Sequence, residues 1–291
     1  MVKQAGPRFL SPVQPLGDLA CQWHMKHPSF ILLFFTMVIF FSSCIQQNFL
    51  HSPLQGLTTA YHPVPVASDS AGSATYVNAA LSAGGMNELL RDGVYSGQVS
   101  VHRGVIVRRA RFFYGAVAFA GDYDVNKWVY EGQGVTNLQP GDNFFGGVGA
   151  FGGASLARPI GRFGEWRYIG IEGSLSKEFG SYYQFRKNLA DSLAQEIDRK
   201  NYLGSLGLST EWIFKSRHAH EFGIKLGMGS FLRTLPYSNR PSYYYGSSHT
   251  SDALFYFTNA WHFTYRQSTT WFQFSFATHA AHFQVGYSRR L

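Results

Sequence analysis

The 291-residue chain holds 31 Gly and a 17% share of aromatic residues, but only 14% of it is charged. A soluble globular domain is about a quarter charged, so this composition excludes a disordered or coiled-coil chain and an ordinary cytosolic enzyme with a charged helical surface. The net charge of +8 suits an anionic membrane surface, because no basic cluster resembles a nucleic-acid footprint. A mean hydropathy near zero and the lack of a second apolar run exclude a helical membrane protein.

In chain order the first element is the apolar run 31–41, too short to span a bilayer as a helix but long enough for the core of a signal peptide. Met25-Lys26-His27 precedes it as a start residue with a positive flank, and Phe41-Ser42-Ser43-Cys44 follows it with small residues and a cysteine. The order predicts a signal peptide over 1–43, with 1–24 an over-called start extension. Ser42-Ser43-Cys44 resembles a relaxed bacterial lipobox of the Bacteroidetes type, with Phe41 in place of the usual Leu and Ser43 in place of Gly or Ala. That resemblance implies an acylated Cys44 (palmitate among the acyl groups) as the mature N-terminus. Cys21 would leave with the signal, so no disulfide pair remains. The mature chain then keeps 22 Lys and Arg against 16 Asp and Glu, a net charge of +6.

Ile45-Gln46-Gln47-Asn48 carries no acidic run, which favours an anchor in the periplasmic leaflet of the outer membrane. Residues 44–73, with Pro53, Pro63 and Pro65 among Ser, Thr and Gly, read as a lipidated extended tether.

From residue 74 to 291 the pattern has period two. In 221–233, Phe222, Ile224, Leu226, Met228 and Leu232 alternate with Gly223, Lys225, Gly227 and Gly229. Similar alternation marks 95–107, 165–178, 202–214, 271–279 and 281–289, and weaker strands fit 74–84, 110–123, 143–157 and 253–266. The total is ten, with 8 or 12 as the other even counts. An all-β, antiparallel up-and-down transmembrane barrel is therefore expected, with one short helix in a loop. That helix is placed at Tyr183–Ile197, where Leu189, Leu193 and Ile197 recur every four residues.

Three features place the apolar face against lipid. The opposite face is small and sparsely charged, as a narrow lumen requires. Aromatics gather near strand ends, at Trp166, Tyr168, Tyr202, Trp212, Tyr256, Trp261, Tyr265, Trp271 and Tyr287, like interfacial girdles. The connections alternate long and short, with 124–142, 179–200 and 234–252 long, which puts those three outside and both barrel termini in the periplasm. The short turns collect Arg108, Arg109, Arg111, Arg158, Arg162, Lys215, Arg217 and Arg266, suited to anionic phospholipid. Apolar residues at alternate positions up to Leu291 resemble the assembly signal of outer-membrane barrels. Residues 44–291 together resemble the small outer-membrane β-barrel lipoproteins of Bacteroidetes-type bacteria.

Chemistry is sparse. His218-Ala-His220 offers two metal ligands without a third, and Gly146-Gly147-Val148-Gly149 lacks the Lys and helix of a phosphate loop. A lipid-modifying barrel enzyme needs a Ser and His pair, which Ser275, Ser288, His279 and His282 could supply, although such residues are common in this chain. Neither metal nor cofactor is expected. Glu172, Glu211 and Lys225 fall on the small-residue faces of three successive strands and form an expected lumen charge cluster, Lys225 offsetting both carboxylates. The expected role is a non-catalytic structural or complex-forming subunit. Its partners would be outer-membrane lipid and an outer-membrane complex met through the outer loops, including the Tyr-rich 236–250, with no nucleic acid. A lipid-modifying enzyme and a periplasmic lipocalin-like carrier of an apolar ligand are the alternatives.

Overall fold

Side chains that alternate between two environments at every step form strands, and here they form ten that close on themselves. The computed structural model describes residues 48–66, 72–86, 90, 92–125, 143–161, 164–188, 195–216, 220–232 and 254–291. The barrel strands are β2 (Ser73–Met86), β3 (Asp92–Val107), β4 (Ala110–Asp124), β5 (Phe144–Ile160), β6 (Gly164–Phe179), β8 (Tyr202–Lys215), β9 (His220–Leu232), β10 (Phe255–Tyr265), β11 (Ser268–Ala277) and β12 (Ala280–Arg290). Each pairs antiparallel with its neighbours in the chain, and β12 pairs with β2 through Val285 opposite Leu81 to close the barrel. All ten predicted strands are present, with ends shifted by a few residues. Two short strands lie outside the barrel: β1 (Asn48–Leu50) and β7 (Gln195–Ile197) pair in parallel.

The predicted helix is only partly helical. Helix α1 covers Ser181–Asn188, while Ile197 belongs to β7. Leu189 and Leu193 lie outside the described residues. Tyr182 on α1 is buried and stacks on Tyr123 with ring centroids 4.0 Å apart. The helix therefore leans over the barrel end that carries the long connections.

The apolar face points outward. Leu81 is 73% exposed, and Val99, Ile171, Leu175, Met228, Phe255 and Phe276 are exposed with it. Continuous exposure of such residues around a closed barrel is the surface that lipid covers. Trp166 and Trp212 stack across β6 and β8 on this face, 6.2 Å between ring centroids, and the Arg158 guanidinium lies over Trp166. Two predicted girdle aromatics are corrected by strand parity: Trp271 and Tyr256 turn inward. Trp271 is fully buried, sharing the inward face of β11 with Gln273 and Ser275.

The larger correction concerns 44–73. Its described part does not extend away as a tether. Residues 51–66 run through the barrel and are buried along almost their whole length. The physical reason is size. About eight strands give an interior that wall side chains fill, and ten leave room for another chain segment.

Leu81 sits at mid-height of the exposed belt, opposite both Val285 and Gly97. Leu81→Arg should destabilise the barrel by about 2–4 kcal/mol in vesicles, the cost of a cation at the bilayer midplane. Urea titration followed by heat-modifiable gel mobility measures this. A parent-like or higher midpoint would mean that water, not lipid, covers the face.

Candidate functional site: a strap through the barrel lumen

The strap is a chain segment rich in Pro and poor in charge, and its backbone groups set what the wall must supply. Pro63 and Pro65 carry no N–H, so the extended segment presents mainly carbonyl oxygens for hydrogen bonding. The lumen answers with donors. Gln284 Nε2 donates to the Gly56 carbonyl at 2.7 Å, and Gln273 Nε2 to that of Thr59 at 2.8 Å. His102 Nε2 lies 2.7 Å from the Pro63 carbonyl, so that nitrogen carries the proton, and His102 Nδ1 accepts from Asn78 at 3.0 Å. Arg167 Nη2 donates to the carbonyls of Val64 at 2.9 Å and Pro65 at 3.1 Å.

The contacts also fix direction. Tyr182 O–H reaches the His51 carbonyl at 3.3 Å, and Ser52 O–H donates to Glu178 at 2.6 Å, both beside the long connections. Ser52 also caps a single 3-10 turn at Pro53–Gln55 through the Leu54 N–H. Leu54 and Leu57 then fill an apolar layer with Met86, Val94, Phe119, Phe145, Leu203 and Phe231. Gly56 passes His282 so closely that a Cβ there would lie 2.2 Å from the imidazole. Tyr61 stacks on His262 and meets the edge of Trp271. The His62 ring stacks on Phe151 at 3.7 Å. Pro65 comes last, packed against Gly104 near the short-turn end where β2 begins. The strap thus enters at one end and leaves at the other.

The charged groups sit around the middle and lower strap. Glu172 and Lys225 form an ion pair at 2.5 Å, and Ser209 donates to Glu172 at 2.6 Å. Glu211 pairs with Arg167 at 2.6 Å and accepts the Tyr61 hydroxyl at 3.1 Å, while Lys225, directly opposite Glu211 across β8 and β9, makes its ion pair with Glu172. Arg167 also contacts Glu165 at 3.1 Å, and Arg111 contacts Glu165 at 2.8 Å. Arg111 was expected at a lipid-facing turn but is buried inside. His262 Nε2 lies 3.1 Å from Glu211. Two guanidinium groups and two carboxylates therefore balance in a nearly dry network.

Sequence reasoning missed Arg167 because of one extra residue. The register of β6 advances three residues, Arg167 to Gly170, while β8 advances two, Glu211 to Ser209. The ladder with β5 shifts at the same height, between Leu156 and Ala157. This is a β-bulge: Tyr168 and Ile169 both face out, and every residue before them changes face. Extrapolating the parity of Glu172 places Arg167 in lipid, whereas the bulge puts Glu165 and Arg167 in the lumen. Charges at 165 and 167 in a lipid-spanning strand are the signal that such a bulge is present.

A second polar pair group lies at the long-connection end. Arg186 on α1 is completely buried, pairs with Glu178 at 2.5 Å and donates to the Asp198 carbonyl at 2.6 Å. The other expected sites are only partly brought together. Ser275 and His282 face each other across β11 and β12, both buried in the lumen wall. Ser288 is buried as well, and His279 stacks near His51. His220 stacks on Phe263 and Tyr265, and His218 lies outside the described residues. Among the described residues no group of three or more His, Cys, Asp or Glu could hold a metal ion. Cys44 also lies outside the described residues. Cavities of about 30 and 40 Å³ remain beside the strap, room for a few waters and far below the roughly 300–1,000 Å³ of a ligand pocket.

Comparison with protein-family models and with curated proteins gives no match. Among solved structures, the chain is similar to Neisserial surface protein A at 10% identity and a TM-score of 0.34, covering 76% of this chain and 97% of that one. It is similar to the β-domain of the Bordetella autotransporter Brka at 9% identity and a TM-score of 0.40, covering 76% and 100%. An outer-membrane channel from Pseudomonas putida F1 gives 8% identity and a TM-score of 0.41, covering 79% and 100%. Function is therefore read from this chain's own surface and lumen.

Arg167 holds two carboxylates and two strap carbonyls at once, so Arg167→Met should cost about 3–5 kcal/mol by leaving buried charge uncompensated. Adding Glu211→Gln should restore part of the loss. Unfolding midpoints of both variants in detergent measure this, and parent-like midpoints for Arg167→Met would contradict the network.

Proposed function

We propose that this chain is a bacterial outer-membrane lipoprotein barrel, acting as a non-catalytic structural or complex-forming subunit. The observation that carries the reading is an inverted distribution of polarity. Leu, Val and Phe stand exposed around the outside, while Arg, Glu, Gln and His are buried inside against the chain's own strap. A water-soluble carrier would need the reverse, and its ligand space is here taken by residues 51–66.

Orientation follows from the connections. Long connections lie outside and short turns in the periplasm in barrels of this kind, so 124–142, 179–200 and 234–252 face outward. They offer the surface for partners, and α1 belongs to the second of them. A lipid-modifying enzyme is the less favoured reading, because Ser275 and His282 lie in the lumen wall behind the strap rather than on the lipid face. The acyl anchor at Cys44 rests on the lipobox-like Ser42-Ser43-Cys44 and on the signal-like segment before it.

A sealed lumen makes an electrical difference. The intact protein in a planar bilayer should pass no steady current, and deletion of 52–65 should open a conducting pore. Steady conductance of the intact protein would overturn the sealed, structural reading.

A further inference from the structure

The strap has a direction, and the direction decides where the N-terminal segment lies. Ser52 contacts Glu178 at the end of β6, and the Pro65 carbonyl contacts Arg167 near the start of the same strand. Between them Gly56, Thr59, Tyr61 and Pro63 meet the wall in order down the barrel. Upstream, Asn48–Leu50 is paired with Gln195–Ile197, which belongs to the long connection between β6 and β8. The barrel's first strand begins at the opposite end, where Gly72 accepts from Ile106 N–H beside the short β3–β4 turn.

We propose that the barrel displays its own N-terminal segment on the cell surface. The chain before Asn48 emerges with the long connections, and 51–66 threads back through the lumen to the periplasmic end. The inference rests on the outward orientation of the long connections given above. It reverses the expectation of a periplasmic anchor, and chain length makes the reversal firm. Only Ile45, Gln46 and Gln47 lie between Cys44 and Asn48, and four Cα-to-Cα steps reach at most about 14 Å. The apolar belt of a barrel is about 25 Å tall, so the opposite leaflet is out of range of that chain. An acyl group on Cys44 then belongs to the outer leaflet, beside the partner-facing loops.

The hold on the strap suits threading. Most wall contacts reach backbone carbonyls, which any extended chain presents, and the lower network grips the strap at Tyr61, Val64 and Pro65. The β1–β7 pair secures the exit.

The test places one epitope at a time between Ile45 and Gln46, within 234–252, or after Ser216 in the short β8–β9 turn. Antibody binding is read on intact and on permeabilised cells, with heat-modifiable mobility confirming a folded barrel. The inference expects full binding at 45/46 and at 234–252 on intact cells, and binding after Ser216 only once cells are permeabilised. Binding at 45/46 that appears together with the Ser216 epitope, opposite to 234–252, overturns it. If 45/46 and 234–252 both stay hidden on intact cells while Ser216 is bound, the orientation is wrong, surface display fails with it, and the threading alone survives. The untagged protein provides a second measurement. External proteinase K on intact cells should trim the chain before Asn48, as read by the mass of the barrel, and complete protection there counts against display.

Discussion

Every lumen group depends on one constraint: a ten-stranded barrel is too wide for its own wall side chains to fill. The chain resolves this by passing residues 51–66 down the axis. A polypeptide inside a barrel brings a row of carbonyl oxygens that water can no longer reach, and each would cost about 1–3 kcal/mol if left unpaired. Gln273, Gln284, His102 and Arg167 are placed to prevent that cost. The Pro residues of the strap lessen the need for acceptors, because they bring no donor of their own. The wall's donor-rich chemistry and the strap's composition are two sides of one requirement.

The charged network follows from the same enclosure. Glu165, Arg167, Glu211 and Arg111 would be unaffordable as isolated charges, and they are tolerated because each carboxylate faces a guanidinium fork. Arg suits these positions better than Lys, since one guanidinium at residue 167 meets two carboxylates and two carbonyls at fixed angles. Lys225 serves the more open upper site, where it pairs with Glu172 and lies over the Tyr61 ring. At the top, Arg186 ties α1 to Glu178 and to the Asp198 backbone, which fixes the helix beside the end of β6 where the strap enters.

The barrel was legible in the sequence because alternation is a local property. Phe272, Phe274 and Phe276 against Gln273 and Ser275 separate the two faces of β11 without knowledge of any neighbour, although Trp271, which reads as a girdle residue, shares the inward face. What could not be read was anything that crosses the lumen or breaks the parity. The bulge at Tyr168 and Ile169 hid Arg167, although two charges in a lipid-spanning strand pointed to it. The Pro and Ser content of 44–73 reads as an extended linker, whereas 51–66 fills the lumen. Its distinguishing mark is the absence of any charged residue from Ile45 to Val66 together with Leu54, Leu57, Tyr61 and Val66, a composition too apolar for a solvated linker. The helix was overextended because a four-residue repeat of Leu and Ile ran on into β7, whose pairing with β1 is set by a distant segment.

The central claim is that the N-terminal strap occupies the lumen of the folded protein. The most direct measurement replaces Tyr61 with the photoreactive aromatic benzoylphenylalanine, irradiates the folded protein in native membranes and identifies the linked peptide by mass spectrometry. The account predicts intramolecular adducts to β8, β10 or β11, around Glu211, His262 or Trp271. Adducts only to lipid or to other chains, with none to these strands, would contradict it.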